Sequence, residues 1–278
     1  MKKSINKNYQ TQIISFGAKF LFLGVVSIAS PFSEAHAEEE GPDRIGVDNG
    51  GDFPNSGDVL AKDDYQIEFN YYHTSDGDPV VQTHAVPTLL RVGVGHNTEI
   101  RIGGDPISMV SSGDTNLTGT GPYNIGAKYS FWSGGEESYY KPIACGLQLQ
   151  VTVPVGSEDF KGDTFVPLAS LNLDFKLPFG AIIAFNAVGI FPTNENNERV
   201  LTNSEQLSIG YDIGKNLTVF IHGLSEFTVS DSIEFNNQLG GSFVGYIGSK
   251  AAYFGSVTTG LNDTSTDFMA SGGVAFQF

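Results

Sequence analysis

Three charged side chains lie close together in the sequence, at positions that alternate with apolar ones. Arg91, Glu99 and Arg101 have the parity opposite to that of Leu90 and Ile100, on either side of a short glycine-containing turn. If the apolar residues face lipid, these charges face the interior of a barrel, since an arginine on the lipid face costs about 2–4 kcal/mol near the midplane. The charges could form a constriction that selects solutes, or an ion-pair network that holds the strands in register. We favour the packing role, and the selective role stays open.

Further ionisable side chains have the same inward parity on other predicted strands. They are Glu68, Lys128, Asp174, Lys176, Asp212, His222 and Glu226. His222 and Glu226 lie four residues apart on one strand, so they share a face. A neutral histidine beside a carboxylate could act as a general base or as a metal ligand, but two ligands are fewer than a metal site needs. We therefore expect a polar lumen lining, with no metal and no cofactor.

A serine and a histidine near the membrane boundary could serve a lipid hydrolase. His73 and Ser75 lie two residues apart and share a face, and His222 with Ser225 is the other near match. No Asn or Asp that could orient either histidine is identifiable, and a catalytic triad is recognised by geometry that a sequence does not supply. An outer-membrane lipid hydrolase is therefore an alternative, and we expect no enzymatic activity.

A two-residue alternation of apolar and polar side chains positions all of these groups. For example, Leu171, Leu173 and Phe175 alternate with Asn172 and Asp174. This period is typical of β-strands, and the chain after the amino-terminal region has no convincing helical stripe. We predict about twelve strands, an even number as in bacterial barrels. They lie near 64–73, 80–94, 98–104, 121–132, 141–154, 165–177, 181–191, 205–213, 217–228, 237–247, 251–260 and 267–278.

The connections between these strands alternate in length. Short turns follow every second strand, at 95–97, 133–136, 178–180, 214–216 and 248–250. The others include longer, polar segments at 104–120, 154–164, 192–204 and 229–236. A soluble sandwich has no reason for this regularity, whereas outer-membrane barrels have tight periplasmic turns and long external loops. The predicted fold is an all-β, transmembrane, up-and-down antiparallel β-barrel.

The composition is consistent with such a barrel. Charged residues make up 17% of the chain, against about 25% in soluble domains. The mean hydropathy of −0.08 is unremarkable because alternation hides the apolar face of a barrel strand. One cysteine, Cys145, excludes an intramolecular disulfide. Tyr123, Trp132, Tyr139 and Tyr140 lie near predicted strand ends, where we expect an aromatic girdle.

The amino terminus predicts export. Residues 1–37 have lysines ahead of an apolar run, Phe20–Ser30, that is too short to span a bilayer, followed by the small-x-small site Ala35-His36-Ala37. Removing this signal peptide takes four lysines and one glutamate from 15 basic and 31 acidic residues, which leaves a net charge of −19. Such a surface repels nucleic acid and suits divalent cations or cationic solutes. Residues 38–62 form an acidic irregular segment, a periplasmic tail or a lumen-bound stretch, and residues 63–278 form the barrel.

Several short stretches resemble the outer-membrane transporter-like family named for the MetA pathway of phenol degradation. They are the hairpin Leu90–Gly103, the strand end Val151–Gly156, and a last hairpin with Gly260–Asn262, Asp267 and Gly273–Phe278. The resemblance implies an outer-membrane barrel that passes small hydrophobic or aromatic compounds. The region from Gln238 to Phe254 departs from the family pattern, since it lacks the expected Gln-Leu-Asp strand. No functional residue of the family is carried over.

These observations predict a monomeric channel of the bacterial outer membrane for a small solute. The alternatives are a structural or adhesion barrel with a plugged lumen, and the lipid hydrolase. Phe276 and Phe278 end the chain on a lipid-facing strand phase, which predicts closure of the barrel there and resembles a signal for the barrel assembly machinery. The expected partners are outer-membrane lipids, that machinery and the solute.

Overall fold

The computed structural model of the chain describes residues 44–49, 54–133, 142–177, 180–194, 197–229 and 235–278. The predicted signal peptide lies outside the described residues. The strands are β1 (Tyr65–Asp76), β2 (Val81–Ala85), β3 (Thr88–Gly95), β4 (Thr98–Gly104), β5 (Ser108–Ser112), β6 (Thr115–Gly119), β7 (Tyr123–Ser133), β8 (Pro142–Val153), β9 (Val166–Lys176), β10 (Ala181–Ile190), β11 (Leu201–Asp212), β12 (Leu217–Val229), β13 (Phe235–Ile247), β14 (Ala251–Gly260) and β15 (Phe268–Gln277). No helix in this part of the chain is long and apolar enough to cross a membrane.

One antiparallel sheet contains all of these strands and closes on itself, because β15 pairs with both β14 and β1. Three pairs of consecutive segments continue one another along the wall: β2 with β3, β4 with β5, and β6 with β7. The neighbouring strand β1, for instance, pairs with β3 over Tyr65–Phe69 and with β2 over Tyr72–Asp76. The wall is therefore a closed barrel of twelve strands, which confirms the predicted fold.

The prediction of a connection without strands at 104–120 is wrong. Residues 108–119 form a hairpin, β5–β6, with Ser108 opposite Gly119 and Ser112 opposite Thr115. The small polar residues of this stretch are typical of a loop, but pairing of β5 with β2 extends the sheet over them.

The predicted strand 80–94 is interrupted at Pro87, which has no N–H for the ladder. The Pro87 carbonyl nevertheless accepts a hydrogen bond from the backbone N–H of Asn70 at 2.9 Å, so β1 stays attached to the wall.

The two rims of the barrel differ as predicted. We call one rim the turn end: it carries the connections at 95–97, 177–180, 213–216 and 248–250, the start of β1 and the end of β15. The opposite rim, the loop end, carries the longer connections at 154–165 and 261–267 and one between β10 and β11 that is described at 191–194 and 197–200, together with short turns at 77–80 and 113–114. The turn predicted at 133–136 lies mostly outside the described residues.

The outer surface of the barrel is apolar. Ile221 is 69% exposed and Ile247 is 64% exposed, and outward residues of the other strands are about half exposed. A soluble monomer rarely exposes a contiguous apolar surface of this kind, whereas a lipid-facing wall requires it.

Tyrosines mark the turn end of the outer surface. Tyr65, Tyr129, Tyr211 and Tyr253 are outward-facing and exposed near that rim. They form an aromatic girdle of the kind found at a membrane interface. Of the residues predicted for a girdle, Tyr139 and Tyr140 lie outside the described residues, and the indole N–H of Trp132 donates to the Pro142 carbonyl at 2.8 Å.

Candidate functional site

The described residues that precede β1 lie inside the barrel. We call residues 44–49 and 54–62 the inner segment. Ile45 and Val47 are buried against Val244, Phe254 and Ala275 on the interior faces of β13, β14 and β15. The sequence is compatible with a periplasmic tail or a lumen-bound stretch here, and the described residues of this stretch are lumen-bound.

Six charged groups meet where the inner segment contacts β1, β3, β4 and β7. We call them the ion cluster: Asp48, Glu68, Arg91, Glu99, Arg101 and Lys128. All six side chains are at most 4% exposed. The cluster contains three carboxylates and three cations, so its formal charges balance.

Asp48 is the centre of the ion cluster. Its Oδ2 atom lies 2.6 Å from Nη1 of Arg101, 2.8 Å from Nζ of Lys128 and 3.5 Å from Nη2 of Arg91. Burial by itself would raise the pKa of the Asp48 carboxyl, but Arg91, Lys128 and Arg101 outweigh burial and hold the pKa well below its usual range. The carboxylate therefore stays ionised at physiological pH.

The strand residues of the cluster bind one another as well as the inner segment. Arg91 makes a two-point contact with Glu99, at 3.0 Å from Nε and 2.9 Å from Nη2. Glu68 accepts hydrogen bonds from the backbone N–H groups of Asp48 at 2.9 Å and Asn49 at 2.7 Å. The cluster thus ties the strands together and holds the inner segment with the same groups.

The returning half of the inner segment has its own polar anchors. Asp174 accepts hydrogen bonds from the Ser56 hydroxyl at 2.7 Å and the Gly57 N–H at 2.8 Å. The Asn186 side chain bonds both the N–H and the carbonyl of Asn55, at 2.6 and 2.8 Å. The Leu60 N–H donates to Glu99 at 2.9 Å. Backbone groups that would otherwise be unpaired inside the barrel are satisfied in this way.

Arg44 fixes the inner segment near the turn end. Its Nη1 atom lies 2.8 Å from Asp212 Oδ1, and its guanidinium stacks over the Tyr246 ring at 4.8 Å.

The backbone of the inner segment also approaches the backbone of the wall so closely that one wall position requires glycine. A Cβ atom on Gly93 would overlap the Ala61 carbonyl.

Two cavities lie on opposite sides of the inner segment. The loop-side cavity, about 640 Å³, is lined by Asp48, Asn49 and Asn55 of the segment together with wall residues of the loop-end half. The turn-side cavity, about 520 Å³, is lined by Val47, Pro54, Ser56 and others near the turn end. The inner segment therefore separates two cavities of one lumen, each large enough for a small molecule.

The remaining predicted interior residues are dispersed. Lys176 and Asp212 line the turn-side cavity, and Glu226 lines the loop-side cavity. His222 is 1% exposed, with Nδ1 3.2 Å from the Ser242 hydroxyl and Nε2 3.2 Å from the Thr258 hydroxyl. These contacts place His222 in a hydrogen-bonded wall. Among the described residues no group of three His, Cys, Asp or Glu could hold a metal ion.

The histidine and serine of the hydrolase alternative lie on β1 near the loop end. The His73 ring stacks on His84 of β2, with centroids 4.6 Å apart, and its Nδ1 atom has no hydrogen-bond partner in the protein. The Tyr71 hydroxyl is hydrogen-bonded to His84 Nδ1 at 2.7 Å. No carboxylate orients His73 in the described contacts, so this arrangement lacks the second half of a triad.

The carboxyl-terminal strand completes the wall. Phe276 and Phe278 are exposed on the outer surface, at 41% and 68%. The backbone N–H of Phe278 donates to the Tyr65 carbonyl at 2.8 Å, and Ile67 is opposite Phe276 in the ladder. The last residue thus takes part in closure of the barrel.

Two features of the interior were not predicted from the sequence. Asp48 was not identified, and the ionisable residues predicted to face inward carry four positive and five negative charges, so as a set they do not call for a further carboxylate. Only the first four predicted strands have an excess of one positive charge, which a buried site does not tolerate. Uncharged amides such as Asn70, Gln148 and Asn186 were not predicted either, because a polar residue at an inward position is typical of any barrel strand.

The comparisons with known proteins bear on the fold. No family model matches the sequence, and no curated protein matches it significantly. Among solved structures, the chain is similar to the COG4313 outer membrane channel from Pseudomonas putida F1, with a TM-score of 0.65 and 11% identity over 81% of this chain and 99% of that one. It is also similar to KdgM porin, with a TM-score of 0.48 and 12% identity over 77% of this chain and 99% of that one. The family named for the MetA pathway is not confirmed, and what is shown is that the chain has the fold of a transmembrane, outer-membrane-type β-barrel.

Proposed function

We propose that the protein is an outer-membrane channel for small solutes, with the inner segment acting as a removable obstruction of its lumen. One observation carries the proposal: two cavities, of about 640 and 520 Å³, lie on either side of the segment in a polar lumen. Side chains alone fill the interior of a barrel of about eight strands, whereas this wall of twelve strands leaves spaces that a small solute could occupy.

The closed wall supports the idea that the inner segment can leave. β15 pairs with β1 along ten residues, so the barrel is complete without the segment. The segment is held mainly by ion pairs and hydrogen bonds, which water can replace once the lumen is wet. When the segment moves, the strand residues of the ion cluster would line the channel and act on passing charge.

The location and partners of the channel belong to the same proposal. Residues 1–37 direct export and are cleaved, the barrel resides in the outer membrane as a monomer, and both termini face the periplasm. The assembly machinery recognises the strand that ends at Phe276 and Phe278. The channel performs no chemistry on its solute. The family resemblance implies a hydrophobic or aromatic solute, and binding of such a solute is the alternative outcome of the binding test on the loop-side cavity described below.

A structural or adhesion barrel with a permanently plugged lumen is the second candidate. The balanced and buried ion cluster favours it, because such a network could hold the inner segment in place permanently. The acidic loops, with Glu158, Asp159 and Asp163 between β8 and β9, would then carry the function.

Solute flux separates the two candidates. The refolded protein would be reconstituted into liposomes, and swelling would be followed in isotonic solutions of small neutral solutes. Protein-free liposomes and liposomes with a small closed barrel serve as controls. The channel predicts swelling above both controls, and a correctly folded barrel without flux would support the structural role instead.

A further inference from the structure

The loop-side cavity has an unusual concentration of side-chain amides. Five come from the wall, on Asn70, Gln148, Gln150, Asn186 and Gln206, and two come from the inner segment, on Asn49 and Asn55. Five hydroxyl side chains share this lining, whereas no arginine, lysine or histidine does among the described residues. A cavity of about 640 Å³ lies within the size range of small-molecule sites.

Two of these amides are buried and have polar atoms without a hydrogen-bond partner in the protein. Asn70 is 2% exposed, and neither its Nδ2 nor its Oδ1 atom is hydrogen-bonded. Gln148 is 4% exposed and its Oε1 atom is unpaired, although its Nε2 atom donates to Gln150. A buried polar group without a partner is costly, and such groups in a native protein call for an explanation.

A neutral polyhydroxylated solute explains them. A carboxamide both donates and accepts, as a hydroxyl does, so a row of amides can pair with successive hydroxyl groups of a sugar. Apolar residues of the same lining, including Leu168, Val188 and Leu224, offer a surface for the C–H face of a sugar ring.

The charges of the lining argue against ionic solutes. No cation is among the described residues that line the cavity, and Arg101, which lines an adjoining space of about 170 Å³, is paired with Asp48 and Glu99. An anion would therefore find no uncompensated positive charge there, and the acidic surface of the protein repels one. Two carboxylates line the cavity: Asp48 is already neutralised by three cations, and Glu226 has no ion-pair partner among the described residues. Glu226 is thus the single carboxylate available to a cationic solute. A cationic solute would therefore be compensated by one half-buried carboxylate only, whereas the seven amides offer hydrogen bonds to an uncharged solute.

We propose that the loop-side cavity binds an uncharged, polyhydroxylated solute of about the size of a mono- or disaccharide, with Asn70 and Gln148 as specificity-determining residues. The solute enters from the loop end and rests on the inner segment, whose Asn49 and Asn55 form the floor of the site. This inference names the solute of the proposed channel and rests on that function for transport, although binding itself does not depend on it.

Equilibrium binding to the full-length mature protein in detergent tests the site. Maltose and glucose are the neutral probes, glucuronate is the anionic probe, putrescine the cationic probe and phenol the aromatic probe. We expect binding of maltose or glucose and weaker or no binding of the others. Asn70→Ala and Gln148→Ala should each weaken saccharide binding by roughly tenfold, the effect of one or two lost hydrogen bonds.

Asn172→Ala is the matched control, because Asn172 is a buried amide on the interior of β9 that does not line this cavity. It should leave saccharide affinity unchanged. Folding of each variant is checked by heat-modifiable gel mobility, and Gln148→Ala keeps the test valid if Asn70→Ala does not fold. Absence of saccharide binding, preference for glucuronate, putrescine or phenol, or equal loss in the control overturns the proposal.

The outcome is independent of the flux assay. Swelling of liposomes without saccharide binding would refute this site and leave the channel standing. Saccharide binding that depends on Asn70 and Gln148, without any flux, would support the site and refute the channel.

Discussion

Replacing Asp48 by asparagine should release the inner segment while leaving the barrel wall intact. The change keeps the shape of the side chain but removes its charge. An amide group at the position of Oδ2 would face Nη1 of Arg101 and Nζ of Lys128, now 2.6 and 2.8 Å away, and these are donors. Three cations would then share two buried carboxylates.

The size of this effect follows from the cost of an uncompensated buried charge. Breaking one side of a buried ion pair costs about 3–5 kcal/mol. Because about 1.4 kcal/mol is a tenfold change in an equilibrium constant, the fraction of barrels with the segment displaced should rise by a factor of roughly 10² to 10³ or more. The wall should be little affected, since Arg91 and Arg101 keep their contacts with Glu99.

Single-channel recording in planar bilayers measures this fraction as the proportion of time spent open. We expect Asp48→Asn to open far more often than the wild type at the same voltage. Asp63→Asn is the matched control: it removes the same charge from the residue that follows the inner segment, but the Asp63 side chain is 81% exposed. Asp63 has a positive φ of 69°, a conformation that asparagine tolerates well.

Two results would refute the reasoning. A folded Asp48→Asn barrel with the open fraction of the wild type would mean that the ion cluster does not hold the segment. Equal opening in Asp63→Asn would mean that net charge, and not the buried contact, controls the lumen.

Further predictions concern the close contacts and the last strand. Gly93→Ala should lower the thermal unfolding midpoint, by a cost of about 1–3 kcal/mol, because a Cβ there overlaps the Ala61 carbonyl. Gly241→Ala, whose nearest atom would be 3.6 Å away, should change the midpoint little, and equal shifts in both variants would contradict the contact. Deleting Phe278 should impair assembly without affecting synthesis or export, since Tyr65 loses its backbone partner; normal heat-modifiable mobility of that deletion in cell envelopes would disprove this.

Strand alternation was enough to predict the barrel because every strand of its wall has an apolar face towards lipid and a polar face towards the lumen. The inward parity of Glu68, Arg91 and Lys128 follows from it, and these residues are all buried in the interior. The rule fails where pairing partners, not side-chain pattern, decide the structure. The hairpin of β5 and β6 has little alternation in exposed apolar residues and exists because β2 offers a ladder to pair with.

The position of the inner segment could not be predicted for a related reason. Residues 44–62 have no period, so their conformation is set by separate contacts such as Gly57 with Asp174 and Asn55 with Asn186. Those pairs are more than a hundred residues apart in the chain, and no local pattern specifies them. Only the excess of one positive charge on the first four predicted strands pointed towards an acidic partner.

Cross-linking the inner segment to the wall tests the central claim most directly. The Asn186 side chain is hydrogen-bonded to the backbone of Asn55, which places the two residues within reach of a short cross-link. Cysteines at both positions, in a Cys145→Ser background, would be joined by copper-phenanthroline oxidation to a disulfide or by a short bis-methanethiosulfonate reagent, whose two disulfides a reductant also cleaves. We predict that bilayer conductance is abolished in the cross-linked protein and restored when a reductant cleaves the disulfide. Conductance that persists through a verified cross-link, or that is missing in the folded protein before and after reduction, would contradict a channel obstructed by its own inner segment.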